Sequence, residues 1–220
     1  MPAIIAHRGA SAYELENTLA AFRKAVALGA DGVELDVHTT MDGAFVVHHD
    51  DEVHGRHIAD HSLADLRERP LSNGEVLPTL EEAFTAIGPD VDVYVEVKSL
   101  PEAHQGAFLK ALTRTTNVHV HSFDHRLILR LVSARPGLSA GVLSASYPLD
   151  PVPQVRAAGA NTLWQHRELV DAPLVAQAHA DSVTVITWTV NRPADARRLA
   201  ALGVDGLCTD APDRIREALA

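Results

Sequence analysis

The residues best suited to chemistry lie in one short run, Asp31-Gly-Val-Glu-Leu-Asp-Val-His-Thr-Thr-Met-Asp-Gly-Ala-Phe-Val-Val-His-His-Asp50. Ionisable side chains stand there where a half-buried strand would carry apolar ones. Glu34 and Asp36 are two residues apart, so in an extended chain they project from the same face. Thr39-Thr-Met-Asp-Gly43 is a turn signal between two strand-like runs, and Asp-Gly supplies the positive φ of a tight connection. Folding back near Met41 sets Asp36 against Val47 and brings His48 or His49 beside the two acids. Two carboxylates and an imidazole in one place could do acid–base or metal-assisted work. A solvated hairpin with a polar face has the same composition, so the rest of the chain must decide.

The elements that would position these groups can be read in order. Ala3 to Ala6 is a short apolar run ending in His7-Arg8-Gly9, which reads as a buried strand with polar residues at its carboxyl edge. Asn17 or Thr18 is an N-cap for Leu19, Phe22, Ala25, Val26 and Leu28 at helical spacing, and Gly29 stands in the stop position. Asp51 to Glu75 is polar and holds His54, His57 and His61. Their spacing fits no zinc signature, so the segment reads as a solvated excursion. Thr79 with Glu82 three residues later is a capping box that opens another helix.

From Val91 short β-branched runs alternate with helical segments. The strands are Val91–Val97, Val118–His121, Leu138–Leu143, Asn161–Trp164, Val183–Val190 and Val204–Cys208. The helices are Glu102–Arg114, His125–Ala134, Pro151–Ala158, Leu169–Ala180, Ala194–Leu202 and Asp213–Leu219. Adding the strands at 3–6 and 32–37 gives eight, each followed by a helix, within 220 residues. That is the arithmetic of a (β/α)8 TIM barrel, with one domain expected over residues 1–220. Ala44–His48 follows the second strand without a helix, so it should be an antiparallel hairpin arm. The polar insertion at about 51–75 should then cover part of the barrel mouth.

Function in such barrels collects where the strands end. Strand one ends in His7-Arg8, strand two in Glu34-Leu-Asp36 and strand three in Glu96-Val-Lys98. Later strands end in His121-Ser-Phe123, Trp188-Thr-Val-Asn191 and Cys208-Thr-Asp210. Acids at adjacent strand ends repel one another unless a cation sits between them. Glu34, Asp36 and Glu96 are hard oxygen donors suited to Mg²⁺ or Ca²⁺. Arg8 and Lys98 bring the positive charge expected around a phosphate. His7 and His49 come from different segments, and two imidazoles can divide acid and base work near neutral pH. Trp188 and Phe123 either stack on a substrate or fill the barrel top. His119, His121, His125, His166 and His179 read as structural or surface residues.

Composition excludes several classes. With 46% hydrophobic and 22% charged residues the chain is an ordinary globular protein. A formal net charge of −10 disfavours nucleic acid and anionic membrane surfaces, which require a basic footprint. Cys208 is the only cysteine, so no intrachain disulfide can form. The first residues lack a basic n-region and an apolar h-region, and no apolar run is long enough to span a bilayer. The expectation is a cytoplasmic protein without stable membrane insertion.

Ten motifs, in order along nearly the whole chain, resemble the glycerophosphodiester phosphodiesterase family. They are Ile4-Ile-Ala-His-Arg-Gly9, Glu16-Asn-Thr18, Gly29 to Val37, Thr40-Met-Asp-Gly43, Val46-Val-His-His-Asp50, Leu77 to Glu82, Val95-Glu-Val-Lys98, Ser122-Phe-Asp124, Thr187 to Asn191 and Gly203 to Asp210. The resemblance implies a (β/α)8 barrel that hydrolyses glycerophosphodiesters, a small-molecule substrate, to sn-glycerol 3-phosphate and an alcohol. It implies one divalent cation, Mg²⁺ or Ca²⁺ with Mn²⁺ as a further candidate. Carried over by position, His7 and His49 are the catalytic pair, Glu34, Asp36 and Glu96 the metal ligands, and Arg8 and Lys98 phosphate contacts. Family register selects His49 over His48. Departures are Leu15 for a proline, Met41 for a lysine, and His54-Gly-Arg-His57, where Arg56 is displaced by one position. The alternatives are a related phosphodiesterase or lyase acting on lysophospholipid headgroups, and a barrel that binds a phosphometabolite without turning it over.

Overall fold

The computed structural model describes residues 1–220. It begins with β1 (Ala3–Ala6), α1 (Leu19–Ala27), β2 (Gly32–Thr39) and β3 (Phe45–Val47). A small excursion follows, made of β4 (Glu52–Val53), β5 (Arg56–His57) and α2 (Leu63–Leu66), and then α3 (Leu80–Ile87). Regular alternation runs through β6 (Asp92–Val97), α4 (Gln105–Ala111), β7 (Val118–Ser122), α5 (His125–Ala134), β8 (Ala140–Ser144) and α6 (Val152–Ala157). It ends with β9 (Thr162–His166), α7 (Ala172–Ala180), β10 (Thr184–Trp188), α8 (Pro193–Leu202), β11 (Gly206–Thr209) and α9 (Pro212–Leu219).

The strands pair in the order β1-β11-β10-β9-β8-β7-β6-β2, all parallel, and β1 pairs with β2 to close the ring. This is the (β/α)8 barrel that the alternation implies. β3 lies outside the ring, antiparallel to the end of β2, with Val37 opposite Val47 and Thr39 opposite Phe45.

Side-chain alternation divides each strand between two cores. Val33, Leu35 and Val37 of β2 and Val93, Val95 and Val97 of β6 face the helices in the main core. Burying each such side chain is worth roughly 1.5–3 kcal/mol. The residues between them face the barrel axis. On β1, β8, β9, β10 and β11 these include Ile5, Leu143, Trp164, Ile186 and Cys208, packed as one cluster. On β2 and β6 the corresponding positions hold Glu34, Asp36 and Glu96, all buried. One side of the barrel interior is therefore apolar and the other ionisable.

Two helix starts follow the sequence signals. Thr18 Oγ1 accepts from the Ala21 amide at 3.3 Å, which leaves Asn17 free for other work. Thr79 and Glu82 form a reciprocal capping box, the Thr79 amide donating to Glu82 at 2.8 Å. Such caps are worth about 1 kcal/mol each. The helix expected over 102–114 is α-helical only in α4, with 3₁₀ turns at Glu102–His104 and Leu112–Arg114. Gly106 and the threonines after Lys110 are poor helix formers, which accounts for the short span.

The excursion has a core of its own. Val53, Ile58, Leu66 and Leu71 pack on Val46 and Leu77 in a separate apolar cluster. Glu75 reaches back and accepts from the amides of Leu19 and Ala20 at 3.0 and 3.2 Å, at the start of α1. An anion there complements the positive end of the helix. No helix is long and apolar enough to cross a membrane.

Candidate active site

At the end of β1 the chain turns sharply. Arg8 has a φ of 55° and Gly9 one of 83°. A Cβ on Gly9 would lie 2.7 Å from the Ala21 backbone, so only glycine fits against α1 there. The turn aims the Arg8 amide at Glu34 Oε2, 3.0 Å away. The Arg8 side chain lies between acids, with Nη1 donating to Glu16 at 2.9 Å and Nε 3.2 Å from Asp36 Oδ2.

His7, one residue earlier, places Nδ1 2.7 Å from Asp210 Oδ1 at the end of β11. Ser11 Oγ donates to the same oxygen at 3.1 Å, and Asn191 donates to Asp210 Oδ2. Burial works against the Asp210 charge, yet its hydrogen bonds and the His7 ring hold it below the usual carboxylate range. An ionised partner makes Nδ1 the donor and leaves Nε2 as the ring's acceptor.

His49 arrives on the chain returning from β3. Its Nδ1 is 2.8 Å from Oδ1 of Asp50, a solvent-exposed neighbour. Its carbonyl faces Nε2 of His38, buried on β2, at 3.1 Å, and Ser99 Oγ lies 3.4 Å from His38 Nδ1. Burial is the main influence on His38 and lowers its pKa, so the ring is neutral and Nε2–H can donate to that carbonyl.

Glu34 and Asp36 face the axis from β2, and strand register puts Asp36 beside Glu96. Lys98 Nζ lies between the last two, 3.1 Å from Asp36 Oδ1 and 2.7 Å from Glu96 Oε1. Asn17 brackets Asp36, donating from Nδ2 to Oδ2 at 2.8 Å and accepting from the Asp36 amide at 3.3 Å. Burial, then the charges of Asp36 and Glu96, push Glu34 well above the carboxylate range. Burial and the Asp36 charge push Glu96 up to about 7. Asp36 is also buried, but Lys98, Arg8 and the Asn17 amide keep it low.

Three carboxylates thus face two cationic side chains, and Asp36 Oδ1 has no aligned hydrogen-bond donor. A divalent cation fits that donor set by charge and by hardness. Glu34, Glu96 and His121 each offer a ligand atom within 4.8 Å of the others, a grouping that can hold a metal ion.

Most of the groups singled out in the sequence meet in one cavity of about 70 Å³. His7, Arg8, Glu34, His49, Glu96, Lys98 and Trp188 line it, together with His121, Phe123 and Trp164. Asp36 is not in the lining but touches Arg8 and Lys98, which are. Trp188 donates from Nε1 to the Trp164 carbonyl at 3.2 Å and meets Phe123 edge-on with centroids 5.7 Å apart. His48 is not in the lining. Arg56 is turned away, bound to the Asp65 carbonyl and Glu68. No residue of 51–75 lines the cavity, because that segment packs on its own apolar cluster.

Sequence reading missed Asn17, His38, His121 and Asp210 as neighbours of the site. His121 is fully buried and faces the cavity, and burial brings its pKa down to about 3. Strand alternation counted from Val118 would have placed it inward; Asp210 stands at a strand end in the sequence, but nothing local ties it to His7, 203 residues away.

Both the sequence and the fold have known relatives. Residues 7–214 match the model of the Glycerophosphoryl diester phosphodiesterase family. The chain is 33% identical over 231 residues to a glycerophosphodiester phosphodiesterase of Caldanaerobacter subterraneus subsp. tengcongensis, covering 96% of this chain and 95% of that one. It is 25% identical to the human lysophospholipase D GDPD1, covering 98% of this chain and 85% of that one. An Oleispira antarctica phosphodiesterase solved with the product sn-glycerol-3-phosphate superposes with a TM-score of 0.93 at 26% identity, covering 100% of this chain and 97% of that one. With the family match spanning the barrel from His7 into its last helix, the chain belongs to the glycerophosphoryl diester phosphodiesterase family.

Proposed function

We propose that this protein hydrolyses glycerophosphodiesters to sn-glycerol 3-phosphate and an alcohol, with one divalent cation and two histidines, as one barrel unit over residues 1–220 acting in the cytoplasm. The observation that carries the reading is one cavity holding His7 and His49 from separate segments, two basic side chains, and the acids Glu34 and Glu96. The structural relative solved with sn-glycerol-3-phosphate supports the substrate class.

Glu34, Asp36 and Glu96 would hold the cation, Mg²⁺, Ca²⁺ or Mn²⁺. When bound, it would supply positive charge to a phosphate oxygen and to the attacking hydroxyl. Arg8 and Lys98 neutralise the remaining phosphate oxygens and orient phosphorus between the two imidazoles. One histidine removes the proton of the attacking hydroxyl, and the other protonates the leaving alkoxide. The attacking group is either the substrate's own glycerol hydroxyl or a water. Asp210 fixes the tautomer of His7 and stabilises the imidazolium that forms there. Asp50 does the same for His49 from the solvent side.

The test is release of glycerol 3-phosphate from glycerophosphocholine, glycerophosphoethanolamine and glycerophosphoglycerol after chelation, with Mg²⁺, Ca²⁺ or Mn²⁺ restored. Metal-dependent release from at least one diester is expected. Metal-independent turnover, or binding without turnover, overturns the reading. One observation favours a second substrate class. Phe123, Tyr147 and Leu149 are exposed apolar side chains on loops that follow β7 and β8 at the barrel mouth. Choline release from lysophosphatidylcholine in a parallel assay would place a lipid chain on that rim.

A further inference from the structure

We infer that His121 donates a ring nitrogen to the metal site, making it a mixed nitrogen–oxygen site that prefers a transition ion, borderline Co²⁺ or Zn²⁺ or the harder Mn²⁺, to Ca²⁺. The inference rests on the metal-dependent reading above and adds a ligand outside the carboxylate set.

β7 carries its own internal control. Val118 and Val120 face the helix-side core, and Ser122 donates back to the Val97 carbonyl, so His119 and His121 both face the barrel axis. Each is stacked on an aromatic ring. His119 lies over Tyr94 with centroids 4.6 Å apart, and its Nδ1 meets Ser139 Oγ at 2.7 Å. His121, one layer higher, lies over Trp164 at 4.1 Å with the rings within 5° of parallel. Its Nδ1 has no hydrogen-bond partner, although it is shut away from solvent. Its Nε2 is 3.8 Å from Glu34 Oε1, too far for a hydrogen bond. Two ligands at about 2.0–2.2 Å from a shared ion lie roughly 3–4.4 Å apart, a range that includes this separation. His119 Nε2 likewise stands 3.9 Å from Asp92, but that ring is partly exposed and its Nδ1 is satisfied by Ser139, whereas His121 is fully buried beside Glu34 with no hydrogen bond at Nδ1.

The ring is also held in place. Gly141 leaves room for the indole, since a Cβ there would come within 2.8 Å of Trp164. Register pairs Glu96 with His121 across β6 and β7, which puts the imidazole level with the acids. Nitrogen donors favour transition ions, whereas Ca²⁺ selects oxygen.

The test uses the full chain, stripped of metal and loaded with Mn²⁺ alone. Pulsed electron paramagnetic resonance should show ¹⁴N coupling to the bound ion, replaced by ¹⁵N coupling after histidine labelling. The coupling should persist in His7→Ala and His49→Ala, which removes the other two cavity imidazoles from consideration. His121→Gln should abolish it and lower the Mn²⁺-over-Ca²⁺ affinity ratio by at least about tenfold. If the Gln variant does not fold, the labelled His7→Ala/His49→Ala double variant still reports the remaining histidine ligand. Bound Mn²⁺ without nitrogen coupling overturns the inference and leaves the metal-dependent reading standing. Failure of the chain to bind any divalent ion overturns the reading beneath it.

Discussion

The two histidines His7 and His49, which both line the cavity, are held in opposite ways. His7 is tied to Asp210, which comes from the last strand and is itself held by Ser11 and Asn191. His49 leans on Asp50, its exposed neighbour, and its main chain is pinned by His38 from the barrel wall. The first arrangement is preorganised by the closed barrel. The second is local for the side chain and long-range only for the backbone. Rigid positioning of a catalytic group supplies rate, so the side with more fixed partners should be the one whose supports matter most.

The largest effects test the histidines themselves. His7→Ala and His49→Ala should each lower kcat by about 10³-fold while leaving metal affinity within about twofold, measured by turnover and by calorimetric metal titration. Equal activity of either variant and wild type would remove that side from the chemistry. The supports come next. Asp210→Asn should lower kcat by about 10²-fold with KM nearly unchanged, because the wrong tautomer of His7 becomes available. Asp50→Asn should cost no more than about threefold, since an exposed pair contributes little. If the two substitutions cost the same, the contrast between a preorganised and a local histidine is lost.

His38 lies between these extremes. His38→Leu should lower kcat by about tenfold, and His38→Gln should restore most of it by donating to the same carbonyl. A loss shared by both variants would assign His38 to packing alone.

The smallest effect is on stability and is read without substrate. In chelated protein Glu96, raised to about 7 from the ordinary 4.5, stabilises the fold only while it is protonated. Its contribution, on the order of 3 kcal/mol, is present below the ordinary carboxylate pKa and lost as pH rises through 7. The thermal midpoint of the chelated chain should therefore fall from pH 5 to pH 8. Glu96→Gln should flatten that fall, and added divalent ion should reverse it. A flat profile in the wild type would show that Lys98 already compensates Glu96 in full.

Barrel, hairpin and most cavity residues were legible because they depend on short-range pattern. Glu34 and Asp36 share a face through the two-residue period, and strand ends gather where βα alternation predicts. What could not be read depends on closure. Asp210 meets His7 only because β11 pairs with β1, and Asn17 meets Asp36 only because Thr18 takes the cap that either could have filled. The excursion at 51–75 looked solvated because its apolar residues are spaced irregularly. Val53, Ile58, Leu66 and Leu71 converge in three dimensions without helical or strand periodicity.

The pairing of β1 with β11 sets an order in time as well as in space. His7 leaves the ribosome 203 residues before Asp210. β1 forms only part of its ladder with β2 until the main chain of Ala3 and His7 can meet Asp205 and Thr209. At about 5–20 residues per second, the opening histidine waits on the order of ten seconds or more for its partner. A nascent or prematurely terminated chain carries the hairpin acids, both histidines and the basic pair, yet lacks the strand that orients His7. The side-chain contact that orients His7 thus waits for β11 to join β1.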